Sequence, residues 1–260
     1  MSRFVNLEFD GQDGEHDPFT DSEPAAVKDE SYYQRQAQSA FESGDFQNAL
    51  RGYAKILEFN PQNPAAWTAQ VRMLTELDQL EEASAWADKS LEKFPREADL
   101  LAAKAVVLAR RGEIQNALAF SDAAVGENGS SPSVWLARGD ILLTARQTLA
   151  DYCLEKAMML APGDWSVALQ AARIRSRHSQ FSLALRPLQQ AVEWNPQHFR
   201  AWLELGKCQE ALGLANAAEK SFVQAQALNP KDETAAEALS RLSSRGAADR
   251  LREWWRRISK

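Results

Sequence analysis

Side chains that could carry catalysis or bind a metal ion are widely separated in this sequence. The histidines are His16, His178 and His198, too scattered to form a helical pair of metal ligands. The chain has no Cys-x-x-Cys motif and no glycine-rich loop ending in Lys-Ser or Lys-Thr that would bind phosphates. Its two cysteines, Cys153 and Cys208, lie inside helical patterns, which is typical of reduced, buried thiols. The residues therefore predict neither an enzyme nor a cofactor site.

A series of six regularly spaced alanines indicates the helices that would position any binding residue. The differences between their successive residue numbers are 34, 34, 33, 34 and 34, and we call the recurring value the repeat period. A period in this range is typical of a repeat array, in which each small helical unit buries its apolar face against its neighbours. A recurring alanine indicates a close approach of two helices, because a larger side chain would push the pair apart. The series comprises Ala49, Ala83, Ala117, Ala150, Ala184 and Ala218.

Three further series keep the same period and indicate where the helices begin and end. Proline cannot continue a helix, so a recurring proline predicts the end of the second helix of each unit. This series is Pro61, Pro95, Gly129 in place of proline, Pro162, Pro196 and Pro230. Large side chains that open the units are expected in the core: Tyr33, Trp67, Leu101, Trp135 and Trp202, with Ala168 as the exception. Glycines five residues before an alanine predict turns with positive φ: Gly44, Gly112 and Gly213.

The repeat resembles the tetratricopeptide repeat. The sixth unit fits that consensus most fully, at Trp202, Leu205, Gly206, Gly213, Ala218, Phe222, Ala225 and Pro230. The first unit fits it nearly as well, at Tyr33, Ala37, Gly44, Ala49, Tyr53 and Pro61. The resemblance covers about six units and implies an all-α fold. Antiparallel helix pairs would stack into a right-handed superhelical solenoid, with the first helix of each pair lining a concave groove.

Two departures from the repeat are expected to disturb its regularity. The interval from Trp135 to Ala150 is one residue shorter than its counterparts, so the turn at residues 144–147 is predicted to be shortened, and it lacks glycine. The fifth unit opens with Ala168 and carries Trp165 slightly early. The junction of units four and five is therefore predicted to be the least regular point of the stack.

The resemblance also implies which side chains face the groove. These are Gln34, Gln38, Arg72, Val106, Leu136, Asp140, Leu169, Arg173, Arg177, Leu203 and Lys207. The second half of such a groove would be apolar and basic. Arg173 and Lys207 are one repeat period apart, so we expect them on adjacent helices, where they could bind one carboxylate of a peptide. The alternative is that these residues are ordinary solvated side chains on a helical face.

The chain is predicted to have four segments. Residues 1–30 are expected to be a disordered acidic tail, because they combine high charge with no sustained periodicity. Residues 31–231 would form the six helix pairs and residues 232–245 a helix that caps the stack. Residues 246–260 are expected to form a basic amphipathic helix.

The apolar stripe of that last helix consists of Leu251, Trp254, Trp255 and Ile258, at positions i, i+3, i+4 and i+7. Three roles are open for it. The stripe could pack on the stack, insert its tryptophans into a groove of another protein, or bind an anionic membrane surface weakly and reversibly.

The net charge of −6 is concentrated at the N-terminus. Residues 1–30 hold nine acidic and two basic residues, which leaves the rest of the chain with about +1. A repeat body without a basic excess is not expected to bind nucleic acid. No stretch approaches the ~18 apolar residues of a membrane span. We therefore predict a cytoplasmic, non-catalytic scaffold or adaptor that binds a protein or peptide in its groove. The partner could be acidic, and the chain's own acidic tail is one candidate. A membrane-associated scaffold held by the C-terminal helix is the alternative.

Overall fold

The computed structural model describes residues 28–244, and within that range the chain forms α-helices and no strand. Twelve helices form six consecutive pairs, and a further helix, α13, runs from residue 233 to residue 244. The predicted C-terminal amphipathic helix and nearly all of the acidic tail lie outside the described residues. In each pair the odd-numbered helix is the first and the even-numbered helix the second. The paired helices are α1 (Glu30–Ser43), α2 (Phe46–Phe59), α3 (Pro64–Glu76), α4 (Leu80–Lys93), α5 (Ala98–Arg110), α6 (Ile114–Glu127), α7 (Pro132–Thr144), α8 (Ala150–Leu160), α9 (Trp165–Arg177), α10 (Phe181–Trp194), α11 (Phe199–Ala211) and α12 (Ala215–Leu228).

Capping residues and prolines set the helix boundaries. The carboxylate of Asp29 accepts a hydrogen bond from the backbone N–H of Tyr32 at 2.8 Å, which caps the start of α1. Asn63 caps α3 in the same way, and Pro64 is the first residue of that helix. Each second helix ends two residues before a member of the proline series, with Gly129 in its place after α6. The prediction of helix ends from this series is therefore confirmed.

The turn inside each pair contains one residue with left-handed backbone geometry. Gly44, Gly112 and Gly213 have φ angles of 71°, 85° and 75°, which confirms the prediction for these glycines. Residues other than glycine occupy this position in the remaining pairs: Asp78, Arg146 and Ser179.

The fourth unit is one residue shorter than the others, and the structure shows that its second helix is the shortened element. The predicted shortening of the turn at residues 144–147 is therefore wrong. Arg146 follows Gly112 by one full repeat period, but it precedes Ala150 by four residues where the other turn residues precede their alanines by five. Helix α8 begins at Ala150 and has 11 residues, whereas the other second helices have 14, and the connection before it is longer, at residues 145–149 compared with residues 77–79 in the second unit. The first N–H groups of a helix have no partner within it, so a residue is lost there at less cost than from a hydrogen-bonded turn.

The core is a series of clusters along the solenoid. All six alanines of the series are at most 2% exposed, which confirms the close approach of helices at these positions. The packing beside them is equally tight, since a Cβ atom added at Gly206 would lie 2.6 Å from the ring of Phe222. Helix α13 covers the end of the stack, where Ala235 and Ala238 pack against Phe222.

Hydrogen bonds from tryptophan link two of the series. In three units the indole N–H donates to the backbone carbonyl six residues earlier, at the turn between units. The bonds join Trp67 to Pro61 (3.0 Å), Trp135 to Gly129 (2.7 Å) and Trp202 to Pro196 (2.8 Å). Each of these tryptophans therefore fixes the end of the preceding unit against its own helix, which explains why the two series keep a common period.

The helix pairs wind into a right-handed superhelix whose two ends meet across the concave surface. Arg72 on α3 donates a hydrogen bond to Oε1 of Gln170 on α9 at 2.7 Å. Arg200 on α11 donates to the backbone carbonyl of Ser43 at the end of α1. Units two and five, and units one and six, are thus in direct contact, so the groove between the first helices is narrow.

Candidate functional site

Two adjoining cavities lie on the concave surface, lined by the first helices. The central cavity has a volume of about 100 Å³. The wider cavity, of about 340 Å³, extends toward α1 and is lined by Gln34 and Gln38. Phe41 and Arg72 line both, so the two cavities are continuous. Six of the residues predicted to face the groove line the central cavity: Arg72, Val106, Leu136, Asp140, Arg173 and Arg177.

Glu76, the last residue of α3, contacts three arginines in the central cavity. Its Oε1 is 2.9 Å from Nη2 of Arg110 and 3.2 Å from Nη2 of Arg177, and its Oε2 is 3.3 Å from Nη2 of Arg173. Burial by itself would raise the pKa of Glu76, but the charges of Arg177, Arg173 and Arg110 outweigh it and lower the pKa below its ordinary value of 4.5. Glu76 is therefore ionised at neutral pH. We call Glu76 and these three arginines the central cluster.

Asp140 on α7 lies beside the central cluster, where it forms an ion pair with Arg177 and a hydrogen bond with His178. Its carboxylate is 2.8 Å from Nη1 of Arg177 and 2.9 Å from Nε2 of His178, and the residue is 7% exposed. Burial raises the pKa of Asp140, but the hydrogen bond with His178 and the charge of Arg177 reverse that shift and lower the pKa. The negative charge of Asp140 is thus balanced within the chain by Arg177.

Aromatic rings support two of the groove arginines. The guanidinium of Arg72 lies 5.7 Å from the centre of the Phe41 ring, and that of Arg173 lies 5.5 Å from the centre of the Phe46 ring. Such cation–π contacts hold a guanidinium in position while leaving N–H donors for an anion. The first pair of helices therefore helps to orient arginines that belong to units two and five.

The other predicted groove residues lie elsewhere. Leu169 is 7% exposed and packs in the core with Ala172 and Leu188, while Leu203 is 2% exposed and packs against Phe222. Neither leucine lines the two cavities. Lys207 is exposed and pairs with Glu204 at 3.0 Å.

Arg173 and Lys207 do not share a carboxylate of the chain. Arg173 contacts Glu76, across the groove, whereas Lys207 contacts Glu204 on its own helix. A separation of one repeat period places two side chains at equivalent points of adjacent units, but it leaves open which way each guanidinium or ammonium turns.

Two residues of the central cluster, Glu76 and Arg110, were missed in the sequence. They are themselves one repeat period apart, and Arg177 falls in the same register. The criterion that placed Arg173 and Lys207 on adjacent helices, a separation of one repeat period, therefore also places Glu76 and Arg110 on adjacent helices. The signal was available, because opposite charges at equivalent positions of adjacent units favour an ion pair.

The two cysteines are free, buried thiols. Cys153 and Cys208 are 2% and 1% exposed, and burial raises the pKa of both thiols, so neither resembles a reactive cysteine. Leu251, Trp254, Trp255 and Ile258, the predicted partner or membrane contacts, lie outside the described residues. Within residues 28–244, no helix has both the length and the apolar character needed to cross a bilayer.

A sequence profile of the tetratricopeptide repeat matches residues 40–107 and 177–242, slightly more than half of the chain. The chain belongs to the tetratricopeptide repeat family. A curated relative is the BBSome complex member BBS4 of Bos taurus, 22% identical over 187 residues. That alignment covers 72% of this chain and 36% of BBS4, so the chain spans about a third of the relative's length.

Solved structures share the fold of this tetratricopeptide repeat chain. A tetratricopeptide repeat protein from Parabacteroides merdae aligns with a TM-score of 0.53 and 17% identity, over 85% of this chain and 87% of that protein. The type IV pilus biogenesis factor PilW aligns with a TM-score of 0.52 and 20% identity, over 81% of this chain and 98% of PilW. The predicted fold class is confirmed. Tetratricopeptide repeat proteins generally mediate protein–protein interactions, and their families are typically non-catalytic scaffolds.

Proposed function

We propose that the chain is a non-catalytic scaffold that binds an acidic segment of a partner protein in its concave groove. The observation that carries this proposal is the row of four arginines along the concave surface: Arg72, Arg110, Arg173 and Arg177. Guanidinium groups bind carboxylates through paired hydrogen bonds and are enriched at protein interfaces. The central cavity also contains Glu76, Asp99 and Asp140, so its lining keeps an excess of one positive charge, which favours an anionic partner.

The wider cavity is the proposed point of entry. Gln34 and Gln38 are exposed there and offer amide donors and acceptors to an extended peptide backbone. Arg72, at the junction of the two cavities, would bind the first acidic side chain. Leu136 and Val106 of the central cavity supply apolar contact deeper in the groove. A volume of about 340 Å³ falls in the range of common ligand cavities.

A photo-crosslinking amino acid placed at Gln38 tests this proposal. Gln189, exposed on α10, is the matched control, because it is the same residue type on a second helix away from the groove. Each full-length variant is irradiated in an extract of its native cells, and crosslinked peptides are identified by mass spectrometry. We expect one partner segment, rich in Asp and Glu, to crosslink at position 38 and not at position 189. Equal crosslinking at both positions would contradict binding in the groove.

The acidic N-terminal tail is one proposed ligand of the groove. Residues 1–27 contain seven acidic residues and one arginine, and they connect directly to α1, which lines the wider cavity. A tethered ligand acts at an effective concentration that can reach millimolar. Replacing the seven acids by Asn and Gln in the full chain should then tighten binding of the crosslinked partner segment severalfold. Unchanged affinity would show that the tail does not compete.

A membrane-associated scaffold is the second candidate. It is favoured by the sequence pattern of residues 246–260, in which basic residues surround the stripe Leu251, Trp254, Trp255 and Ile258. Flotation with vesicles containing about 30% phosphatidylserine separates the two candidates. The full chain and its Trp254→Ala, Trp255→Ala double variant should differ in flotation if this segment binds lipid. Equal flotation of the two proteins would remove this candidate.

A further inference from the structure

The carboxylate of Glu76 is held by three guanidiniums that come from two other helices. Both of its oxygens are used, with Oε1 contacting Arg110 and Arg177 and Oε2 contacting Arg173. We infer that this is a carboxylate-binding site in which Glu76 is an internal occupant, replaced by a Glu or Asp side chain of the partner segment when it binds. This inference rests on the proposed function, since it assigns the partner's anchoring group and the contact that competes with it.

Each arginine of the site has an anchor besides Glu76. Arg110 donates to the backbone carbonyl of Thr75 at 2.7 Å, and Arg177 pairs with Asp140 at 2.8 Å. Arg173 lies against the ring of Phe46. The three guanidiniums would therefore keep their places if the Glu76 side chain turned away, and the site would remain formed for another carboxylate.

The site also retains unused donor capacity. Nε of Arg110 is buried and has no hydrogen-bond partner among the described residues. A buried N–H without a partner is costly, and an anion that reaches it gains a hydrogen bond that Glu76 does not make. A partner carboxylate that reaches Nε of Arg110 would therefore make one hydrogen bond that Glu76 does not, which offsets part of the entropic cost of binding from solution.

The Glu76 side chain is positioned so that it can turn out of the site into the groove. Glu76 is the last residue of α3, and its side chain is 23% exposed to the groove. Exchanging one carboxylate for another leaves the number of buried charges unchanged, which avoids the desolvation cost of adding a new ion pair. Without Glu76, the central cavity would hold four arginines against Asp99 and Asp140, and would attract an anion more strongly.

The test uses fluorescein-labelled hexaglutamate amide as the probe and full-length protein. In Glu76→Gln the internal occupant loses its charge, so we expect hexaglutamate to bind at least about fivefold more tightly than it binds wild type. Glu127→Gln is the matched control. Glu127 has a similar side-chain exposure of 28% and pairs with Arg96 outside both cavities, so its replacement should leave the affinity unchanged. Labelled hexaglutamine should show no gain with any variant.

Two further variants distinguish poor folding of Glu76→Gln from failure of the inference. Glu76→Asp retains the charge but shortens the side chain, and should give an intermediate gain if Glu76→Gln folds poorly. Adding Arg173→Gln to Glu76→Gln should remove the gain, because the site loses a ligand of the carboxylate. The inference is overturned if folded Glu76→Gln and Glu76→Asp bind hexaglutamate no more tightly than wild type, or if the gain survives the loss of Arg173.

This outcome is separable from that of the proposed function. Crosslinking at position 38 without a gain in Glu76→Gln would retain the groove as the partner site and reject the role of Glu76. A gain in Glu76→Gln without crosslinking at position 38 would establish a carboxylate site and reject the proposed route of the partner segment.

Discussion

Glu76 links unit two to units three and five, and Asp140 links unit four to unit five, and the pKa values of both carboxylates make these ion pairs sensitive to acid. Burial opposes ionisation of both groups, and neighbouring arginines and His178 overcome it, so both pKa values are lowered in the folded protein. A lowered folded pKa stabilises the fold fully above the unfolded pKa, and that stabilisation is lost as the pH falls through the folded value.

Glu76→Gln should therefore have a pH-dependent effect on stability. At pH 7 we expect the free energy of unfolding to fall by about 1–3 kcal/mol, since three guanidiniums lose a charged partner. The difference from wild type should shrink as the pH drops below 4.5, where Glu76 in the unfolded chain is already protonated. Urea unfolding between pH 3 and 7 measures this, with Glu127→Gln as a control expected to change stability by less than about 0.5 kcal/mol. A difference that is constant with pH would contradict the role given to the charge of Glu76.

The alanine series defines the spacing of the helices within each pair, and Ala117 offers the sharpest test of that. Ala117 is fully buried, while Ala119 on the same helix is exposed. Ala117→Leu should lower the free energy of unfolding by about 1–3 kcal/mol through overpacking. Ala119→Leu, the same substitution two residues along, should change it by less than about 0.5 kcal/mol. Urea unfolding of the two variants compares them directly, and equal effects would mean that α6 does not pack through Ala117.

The turn of the fourth unit gives a prediction with the opposite sign. Arg146 is exposed and has a φ of 56°, a conformation that costs an L-residue about 1–2 kcal/mol. Arg146→Gly should raise the free energy of unfolding by up to about 1 kcal/mol, because glycine adopts this geometry freely but loses more chain entropy. Ala145→Gly, at a residue with φ of −76°, should instead destabilise the fold. Thermal unfolding of both variants decides whether the strain is at Arg146.

Most helix ends, turns and close helix contacts could be predicted from the sequence, because each depends on the type of one or two local residues. Proline ends helices, glycine permits positive φ, and a recurring alanine marks a close helix contact, so these features were readable in series. The shortened unit is predicted in the right interval, but the sequence assigns the shortening to the turn at residues 144–147, whereas the structure shortens helix α8. A non-glycine residue with positive φ, such as Arg146, gives no signal in the sequence that would place the turn. Leu169 and Leu203 were expected in the groove, whereas the structure packs both into the core between units.

The whole molecule differs from a simple open groove, because units one and two contact units five and six. This closure could not be predicted, since it depends on small rotations between successive units that accumulate along the solenoid. Glu76 therefore meets Arg173 and Arg177 about a hundred residues away in the chain, which the repeat period alone could not have indicated.

The contact between the two ends of the solenoid predicts that the local stability of the first unit depends on the sixth unit. Arg200→Ala removes the hydrogen bond to Ser43, and hydrogen exchange of backbone amides in α1 and α2 should accelerate about threefold to tenfold. Exchange in α5 and α6, in the middle of the stack, should change little. Arg96→Ala is the control, because Arg96 is 82% exposed and contacts only Glu127 among the ion pairs of the described residues. Equal exchange in α1 for wild type and Arg200→Ala would show that the contact does not hold the ends together.

The central claim is that arginines of the concave surface bind the partner, and the affinity of the crosslinked partner segment for two charge-reversal variants tests it most directly. Arg72 lies in the groove, whereas Arg186 is exposed on the second helix α10. Calorimetric titration should show binding at least about tenfold weaker for Arg72→Glu, the loss expected for one charge-assisted hydrogen bond, and within about twofold of wild type for Arg186→Glu. Wild-type affinity in Arg72→Glu, or an equal loss in both variants, would contradict the account.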